Sequence, residues 1–573
     1  MSKNRPISSP QRTLVFQGGG SLGAYEAGVF HVLYHWIKKD LKDNENVFDI
    51  IAGTSIGAIN ASIIINHFLE NKEKDVKSPK EAKPEKTLKY WEGSPEKLLN
   101  FWKKISSYST FYDSILSWLK NTWDFNKDIS AKMFPYYQNF IHLIVSGESL
   151  RRYYSIKKRI VYGEPNVFSP LFYPPYPTPL FNKFFDYSQS AGWYQYSNKP
   201  LGESILDFAR KLEYDEYYQE GGISTDIEQN EPKLLLVAAD INTAQPETFD
   251  SNESDITINH VLASAAIPIN YPYMEINGKK YWDGGILSNT PIRELLSNHS
   301  SYWTKKHEKK LISTLDKDSK LTFDKWKDFY KLQEENIIPD LKLTIVNLHP
   351  ESEEGNNIPS LYDYDLTKDR ERDIRFHDKT EYDIKLAQNI SDYHDFVVEM
   401  TNLASDAISK NAQYLKPKFE DILNKHQRTL SRHNQTRHFY DLIGKRFNIE
   451  DVLKIQKKDD IHTVSDKIFD FSSDTILNLI KEGERDTLKE IVDHEEQKQM
   501  EEQKEKGEQK KSEEDKLKES VDHDFKKEDI NSINSQLIRF IKDVEKESTE
   551  DDEYIIQCAK DELKRKKYFI EVQ

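Results

Sequence analysis

The sequence predicts an α/β fold in which a mainly parallel sheet is buried between helices. Two β-to-α units follow one another near the amino-terminal end, and their strands are continuously apolar instead of alternating between apolar and polar residues. Such strands are typical of a parallel sheet that helices cover on both faces. The chain has 573 residues, which is long enough for a sizeable core and for more than one domain.

The first unit begins with the apolar strand Thr13–Phe16, continues through three glycines, and enters a helix whose apolar residues recur at helical spacing up to Trp36. The second unit has a strand at Val47–Ala52, a turn from Gly53 to Gly57, and another apolar helix. Each predicted strand therefore leads into its helix through glycine residues.

Further strands and helices continue this pattern later in the chain. We expect a buried strand at Leu234–Asp240 and a helix at Thr257–Ala266. Tyr273–Trp282 predicts a hairpin, because its central Asn-Gly pair provides the positive φ angles that a two-residue turn requires. A strand at Leu343–Leu348 and a helix with apolar residues from Leu386 to Ala404 extend the predicted core to about residue 410.

Charge and cysteine content exclude several classes of protein. Lys and Arg total 81 against 97 Asp and Glu, so the formal charge of −16 is not that of a typical nucleic-acid-binding protein. Cys558 is the single cysteine, which excludes an internal disulfide and a cysteine-rich metal site. The first residues, MSKNRPISSPQRT, lack the apolar segment of a secretory signal, and we therefore expect a cytoplasmic protein.

The uncharged stretch Ile50–Phe68 has one feature of a membrane helix, because Gly53 and Gly57 have the small-residue spacing of packed transmembrane helices. Polar residues such as Asn60 and Asn66 interrupt the stretch, and its first half has the pattern of a buried strand and a turn. We therefore predict that it belongs to the second β-to-α unit.

Gly53-Thr54-Ser55-Ile56-Gly57 has the pattern G-x-S-x-G between a predicted strand and a helix. A sharp strand-to-helix turn brings its neighbours close together, which glycine tolerates on both sides, and it exposes the serine hydroxyl at the start of a helix. The helix dipole favours a nearby anion there. Ser55 is therefore the candidate nucleophile, and Gly53 and Gly57 support its turn.

Gly18-Gly19-Gly20 follows the first strand and offers backbone N–H groups without side chains in the way. Such donors stabilise the oxyanion that forms when an ester carbonyl is attacked. Gly18, Gly20 and Gly23 also satisfy the dinucleotide pattern G-x-G-x-x-G. That alternative requires an acidic residue at the end of the second strand, whereas Asp49 lies near its start, so the oxyanion interpretation is favoured.

A serine hydroxyl becomes a good nucleophile only when a neighbouring group accepts its proton. His349 and His377 are candidate bases, since histidine is the usual partner, but neither lies in a glycine-shaped turn. Asp283-Gly284-Gly285 follows the predicted hairpin directly, and its two glycines allow a tight turn that points the carboxylate into a site. From the residues alone, histidine and aspartate both remain candidates.

Four blocks in this order resemble the patatin-like phospholipases: Gly18–Gly23, Gly53–Gly57, Ala263–Pro268 and Asp283–Gly285. The resemblance implies a three-layer α/β/α fold and a Ser-Asp dyad that cleaves fatty-acyl esters of lipids through an acyl-enzyme, with no metal and no cofactor. It implies Ser55 as nucleophile and Asp283 as base. It also implies that Gly18, Gly19 and Gly20 form the oxyanion hole, and that Gly284 and Gly285 support the turn.

The chain departs from this family at Leu22, where members often have Lys or Arg, so any help from a cation there is missing. Asp470-Phe471-Ser472, followed by a helix, resembles the carboxy-terminal region of longer bacterial-type members. Two other functions remain open. One is an esterase of the Ser-His-Asp α/β-hydrolase type, and the other is a non-catalytic lipid-binding or assembly protein on the same fold.

Resemblance and composition together predict three regions. Residues 1–300 form the catalytic domain, which contains a charged linker and an aromatic insertion at about 72–220. Residues 301–490 form an extension that completes the core, and residues 491–573 form a charged helical or disordered tail. The expected partner is a lipid or acyl-ester substrate. The negative net charge argues against stable residence on anionic membranes, and any contact through the aromatic insertion is expected to be transient.

Overall fold

The computed structural model describes residues 10–76, 87–107, 147–171, 196–215, 220–311, 322–324, 338–350, 364–377, 380–410, 412–423, 447–458, 464, 466–513, 525–547 and 552–572. Residues 77–86 of the predicted linker and residues 108–146 and 172–195 of the aromatic insertion lie outside this description.

The strands of the described chain are β1 (Gln11–Phe16), β2 (Ile50–Thr54), β3 (Ser169–Pro170), β4 (Tyr196–Ser197), β5 (Tyr214–Asp215), β6 (Glu220–Gly221), β7 (Lys233–Asp240), β8 (Gln245–Asp250), β9 (Met274–Ile276), β10 (Lys279–Asp283), β11 (Leu341–Asn347) and β12 (Ile449–Gln456). Its α-helices are α1 (Gly23–Lys38), α2 (Ile56–Val76), α3 (Thr87–Tyr90), α4 (Ser94–Ile105), α5 (Gly147–Tyr162), α6 (Lys199–Leu206), α7 (Ile258–Ser264), α8 (Ile292–Leu311), α9 (Tyr364–Phe376), α10 (Thr380–Lys410), α11 (Lys416–Leu423), α12 (Ser473–Glu513), α13 (Phe525–Glu547) and α14 (Glu553–Val572).

Eight strands form one mixed sheet in the order β12-β11-β1-β2-β7-β10-β9, with β8 also paired to β7. β2 runs parallel to β7, whereas β8 and β10 run antiparallel to it. The burial of every residue of β2 and β7 fits the continuously apolar strands of the sequence. Helices flank this mostly parallel sheet, so the predicted three-layer α/β/α fold is confirmed.

The chain divides into two compact units. One comprises the described residues within Met1–Thr13, Pro291–Leu343 and Lys379–Val452. The other comprises those within Leu14–Thr290, Thr344–Asp378 and Leu453–Gln573. All of the candidate site residues lie in this second unit.

Helix α1 forms the centre of the helical packing in the second unit, and it is buried from Gly23 to Trp36. It crosses α12 at a very short backbone distance. A Cβ atom placed on Gly28 would lie 2.0 Å from the carbonyl oxygen of Ile480, and one on Gly483 would lie 2.1 Å from that of Tyr25. Glycine on both helices is therefore required for this crossing.

The carboxy-terminal helices add apolar side chains to the same core. Those residues include Ile476, Leu479, Ile480, Leu488, Ile491 and Val492 of α12, Ile533, Leu537, Phe540, Ile541 and Val544 of α13, and Ile555, Ile556 and Ala559 of α14. His494–Ser520, a strongly charged part of the predicted tail, is helical as far as Glu513. The residues after Glu513 in that stretch lie outside the described chain.

Local predictions at the hairpin and at α2 have different outcomes. The hairpin is confirmed, since Asn277 and Gly278 have φ angles of 50° and 76° between β9 and β10. The start of the predicted linker is wrong, because residues 72–76 form the last turns of α2, where Lys72 pairs with Glu231 at 2.8 Å.

The uncharged stretch that was considered as a membrane helix comprises β2 and part of α2. Within the described ranges, every helix is too short or too polar to cross a membrane.

Helix α10 is confirmed as a helix, but the face expected to extend the core is exposed. Tyr393 and Met400 are 72% and 51% exposed, and Leu386, Ile390 and Val397 are also exposed. Among the described side chains of α10, the buried apolar ones are instead Ile384 and Ile408. Periodic spacing identifies an apolar stripe on a helix, but it does not identify what covers that stripe, and the inference to a core position was therefore wrong.

Candidate active site

Ser55 occupies a strained turn between β2 and α2. Its φ angle is 57°, in the left-handed region that non-glycine residues rarely adopt. The backbone packs so closely in this turn that two positions require glycine. A Cβ atom on Gly53 would lie 2.3 Å from the carbonyl oxygen of Gly57, and one on Gly57 would lie 2.7 Å from Phe16 Cβ. The predicted tight turn around this serine is therefore present, and α2 begins at the next residue, Ile56.

The register of the sheet brings the second candidate residue to the same place. Thr54, which precedes Ser55, pairs with Val237 of β7, and Asp283 pairs with the next residue of that strand, Ala238. β8 pairs with residues 235–240 along the opposite edge of β7, so β2 and β10 share one edge of that strand. Since β2 runs parallel to β7 and β10 runs antiparallel to it, the carboxyl ends of β2 and β10 meet on this edge. Ser55 and Asp283 therefore lie close together.

Ser55 and Asp283 form a direct hydrogen bond. The Ser55 Oγ–H donates to Asp283 Oδ2 at 2.7 Å. The other carboxylate oxygen, Oδ1, accepts a hydrogen bond from the Gly285 N–H at 2.7 Å, which fixes the orientation of the carboxylate. Both side chains are buried. The geometry is that of a nucleophile with a general base within hydrogen-bond reach.

Burial raises the pKa of Asp283 to about 6, although the hydrogen bonds from Ser55 and Gly285 favour the ionised form and oppose this shift. A carboxylate with a raised pKa is a stronger base than an ordinary aspartate and is still mostly ionised at neutral pH. This combination suits a group that must accept a proton from a hydroxyl.

Ser264, at the end of α7, hydrogen-bonds the backbone of the strained turn. Its hydroxyl accepts a hydrogen bond from the Ser55 N–H at 3.0 Å and donates one to the Val237 carbonyl oxygen at 2.6 Å. One buried side chain therefore ties the nucleophile backbone to the strand that also pairs with the Asp283 strand. The sequence contains Ser264 within Ala263–Pro268, but nothing in that pattern distinguishes it from an ordinary helical serine.

The glycine loop Gly18-Gly19-Gly20 lies beside this pair, since a Cβ atom on Gly18 would be 3.1 Å from Ser55 Cβ. The Gly18 N–H already donates to the Asn289 carbonyl oxygen at 3.1 Å. The N–H groups of Gly19 and Gly20 make no backbone hydrogen bond among the described residues. The N–H groups of Gly19 and Gly20 are thus the candidate donors for an anion at this loop.

Side chains from distant segments hold the loop in place. The Asn289 side-chain amide donates to the Gly18 carbonyl oxygen at 3.1 Å and to that of Phe376 at 2.6 Å. Gln17 accepts from the N–H groups of Leu348 and His349 at 2.6 Å and 3.0 Å. Sequence reasoning missed Asn289 and Gln17, because a lone amide residue carries no recognisable pattern.

The histidines considered as bases have other partners. His349 Nδ1 lies 2.9 Å from Asp373 Oδ1, and the ring also hydrogen-bonds the backbone of Gly18. The His377 backbone N–H donates to the Asp373 carbonyl oxygen, and its own carbonyl oxygen accepts from Gln17. Among the described residues, no histidine hydrogen-bonds to Ser55. His349 therefore contacts the glycine loop, whereas the group that hydrogen-bonds Ser55 Oγ is the carboxylate of Asp283.

Exposed apolar side chains lie next to the dyad in sequence. Ile286 and Leu287 follow the Asp283 turn, and both are exposed. Ile269 follows Ala263–Pro268, the block in which α7 ends. It is 71% exposed and has a φ angle of 72°. A β-branched residue with positive φ is a backbone outlier, which indicates a constrained loop. Leu22, the departure from the basic residue of the family, is buried in the core.

Comparisons with known proteins give one matching family model and weak structural likenesses. Residues 14–296 match a family model described as "Patatin-like phospholipase". No curated protein matches the chain significantly. The crystal structure of VipD from Legionella pneumophila is similar at 11% sequence identity over 86% of this chain and 68% of that chain, with a TM-score of 0.26. A likeness of this size carries no argument about activity.

Proposed function

Because residues 14–296 belong to the patatin-like phospholipase family, we propose that the protein is a serine acyl hydrolase that cleaves fatty-acyl esters of lipids with the dyad Ser55 and Asp283. The observation that carries the proposal is the 2.7 Å hydrogen bond from Ser55 Oγ to Asp283 Oδ2. It joins a strained serine at the start of a helix to a buried carboxylate, beside a loop of glycine N–H groups.

In the acylation half of the reaction, Ser55 Oγ attacks the ester carbonyl carbon while its proton moves to Asp283 Oδ2. The N–H groups of Gly19 and Gly20 donate to the oxyanion of the tetrahedral intermediate. The intermediate collapses when the bond to the leaving alcohol breaks, and Asp283 returns the proton to the alcohol oxygen. The products of this half are the free alcohol and an acyl ester on Ser55.

In the deacylation half, water attacks the acyl carbon and gives a proton to Asp283. The same N–H groups stabilise the second oxyanion. Collapse breaks the bond to Ser55 Oγ, which takes the proton back, and the fatty acid leaves. Protein groups supply every proton transfer in this cycle, so the proposed reaction requires neither a metal ion nor a cofactor.

The exposed apolar residues beside the dyad support a lipid as substrate. Ile269, Ile286 and Leu287 offer apolar contact to an acyl chain, and such contact favours a chain over a water-soluble acyl group. The side chain of Leu22 is buried and uncharged, so it offers no cation to a headgroup. We also propose that the protein is cytoplasmic and meets membranes transiently, since its net charge of −16 opposes binding to anionic lipid surfaces.

Labelling with a fluorophosphonate probe tests the proposal, because such probes react with activated serine nucleophiles. The wild-type chain should be labelled at Ser55. Ser55→Ala should abolish both labelling and hydrolysis of a lipid ester, and Asp283→Asn should lower both by at least 10³-fold, on the order of the loss when a triad member is removed. Ser62→Ala is the matched control, because Ser62 is a buried serine of α2 whose hydroxyl donates to the Ala58 carbonyl oxygen.

Two outcomes would contradict the proposal. Full ester hydrolysis by Ser55→Ala would exclude Ser55 as the nucleophile. A folded wild-type chain that binds lipid but shows neither labelling nor turnover would favour the non-catalytic lipid-binding function.

A further inference from the structure

A second cluster of chemically active side chains lies on α1, on residues that the proposed reaction does not use. His31 and His35 are four residues apart, so they project from the same face of the helix, one turn from each other. Asp552, immediately before α14, and Glu484, on α12, approach this face. His31, His35 and Asp552 are 0%, 8% and 1% exposed.

The distances in this cluster suit a metal ion. His31 Nε2 lies 2.9 Å and His35 Nε2 lies 3.6 Å from Asp552 Oδ1. One ligand atom from each of the three residues lies within 4.8 Å of the others. In a tetrahedral zinc site with bonds of about 2.0–2.1 Å, neighbouring ligand atoms are about 3.3 Å apart. The three atoms are therefore close to the positions that an ion would require.

His35 provides the observation that points to a ligand. Its Nε2 atom is buried, and among the described residues it has no hydrogen-bond partner. An unpaired buried nitrogen destabilises a folded protein. The atom faces the carboxylate of Asp552 at a distance too long for a hydrogen bond. Coordination of an ion by its lone pair would satisfy it.

Glu484 lies where an outer carboxylate would lie, that is, a carboxylate that hydrogen-bonds a metal ligand without contacting the metal. Its Oε1 atom lies 2.8 Å from His31 Nδ1, on the side of the ring away from Asp552. Histidine ligands of metals commonly bond a carboxylate through the second ring nitrogen, which fixes the tautomer and orients the ring. In this arrangement Nδ1 of His31 carries the proton and Nε2 is free to coordinate.

We propose that His31 Nε2, His35 Nε2 and Asp552 Oδ1 bind a zinc ion that fastens α12 and α14 onto α1. Two imidazoles and one carboxylate are ligands that Zn²⁺ accepts, and its charge balances the carboxylates of Asp552 and Glu484. Three protein ligands leave the fourth position of a four-coordinate zinc ion to water, and their near-complete burial holds the ion between the helices. Glu484 also lines a pocket of about 480 Å³, together with Glu553 and Tyr554.

The competing explanation is a protonated His31 held between Glu484 and Asp552 without a metal. That arrangement satisfies both nitrogens of His31 but leaves His35 Nε2 without a partner. A bound ion accounts for both histidines, and this difference favours the metal site.

Metal analysis of the purified full-length chain tests the proposal directly. We expect about one zinc per chain after desalting, measured by plasma mass spectrometry. Removal of the zinc with a chelator should lower the Tm by about 5 °C or more, and zinc should restore it. After replacement by Co²⁺, the intense visible absorption of a four-coordinate site should appear, a readout that requires no mutation.

Variants separate this site from adventitious binding. His35→Phe keeps the size and packing of the side chain and removes one ligand, so zinc content should fall below about 0.1 per chain while the circular dichroism spectrum stays unchanged. Glu484→Gln should weaken zinc binding about 10- to 100-fold, the usual effect of losing an outer carboxylate. His67→Gln, a histidine of α2 bonded to the Glu92 carbonyl oxygen, is the control and should keep its zinc.

The proposal is overturned if wild-type chains carry no stoichiometric metal and added zinc leaves the Tm of chelator-treated protein unchanged. It is also overturned if His35→Phe binds zinc as the wild type does, and iron in place of zinc would overturn the choice of ion. None of these measurements uses ester hydrolysis, so their outcome is independent of the proposed acyl hydrolase activity.

Discussion

Asn289 and Gly18 form a reciprocal pair of hydrogen bonds. The Gly18 N–H donates to the Asn289 carbonyl oxygen, and the Asn289 side-chain amide donates to the Gly18 carbonyl oxygen, both at 3.1 Å. Asn289 follows the Asp283-Gly284-Gly285 turn by four residues. The segment that carries the Asp283 carboxylate therefore also contacts the glycine loop, so the carboxylate and the loop are held as one assembly.

We predict that Asn289→Ala lowers kcat by about 10- to 100-fold with little change in KM. The substitution removes the bonds to the carbonyl oxygens of Gly18 and Phe376 and lets the loop move away from the oxyanion position. Steady-state kinetics on a soluble ester measure the effect. Asn66→Ala, which removes a buried amide bonded to the Phe208 carbonyl oxygen, is the control and should affect stability but not kcat. Equal kcat values for Asn289→Ala and the wild type would show that Asn289 does not position the loop.

His349→Gln distinguishes a positioning histidine from a catalytic base. We expect a loss of kcat of about 10-fold, because the bond from His349 to Asp373 and its contact with Gly18 support the loop without touching Ser55. The pH profile should keep its wild-type shape. A loss as large as that of Ser55→Ala would instead indicate a Ser-His-Asp mechanism. His377→Gln should have a smaller effect than His349→Gln, since the contacts of His377 with the site are through its backbone.

The pH dependence of kcat/KM should follow the ionisation of Asp283. Burial raises the pKa of Asp283 to about 6, and only the ionised form accepts the proton of Ser55. Activity should therefore fall about tenfold per pH unit below about pH 5 and reach a plateau above about pH 7. A rate profile on a substrate with no ionisable group measures this. An unchanged rate down to pH 4 would mean that a group of ordinary carboxylate acidity controls the reaction.

Asp283→Asn should be more stable than the wild type at neutral pH. A folded-state pKa of about 6 against an ordinary value of 3.8 means that the folded chain binds the proton more tightly, so the stability from this group is present at low pH and is lost as pH rises through about 6. The shift of about two units corresponds to at most about 3 kcal/mol. Urea unfolding at pH 4 and at pH 7.5 measures the free energy of unfolding of both proteins. The asparagine variant should gain stability relative to the wild type as the pH rises from 4 to 7.5. An identical stability difference between the two proteins at both pH values would contradict the raised pKa.

Polar substitutions beside the dyad should impair action on aggregated lipid. Ile286→Ser with Leu287→Ser removes exposed apolar surface that would contact an acyl chain. We expect KM for a long-chain ester in micelles to rise at least several-fold, while kcat/KM for a short-chain soluble ester changes less than twofold. Leu477→Ser on α12, another exposed apolar residue, is the control. Equal losses on both substrates would point to a packing role.

Short-range patterns in the sequence were sufficient for the local parts of the site. The glycines around Ser55 predict a sharp turn between a strand and a helix, and the Asn277-Gly278 pair predicts the hairpin before Asp283; both are present. These features depend on backbone conformations that neighbouring residues set by themselves. The same holds for the continuously apolar strands, whose pattern predicts burial on both faces of the sheet.

Tertiary structure alone decided which residues meet. Sequence spacing left His349, His377 and Asp283 open as partners of Ser55, and the pairing of β2 and β10 with consecutive residues of β7 brought the aspartate there. It also placed Asn289 on the glycine loop and left one face of α10 exposed. The physical reason is that strand register and helix packing arise from contacts between residues far apart in the chain, which no local pattern encodes.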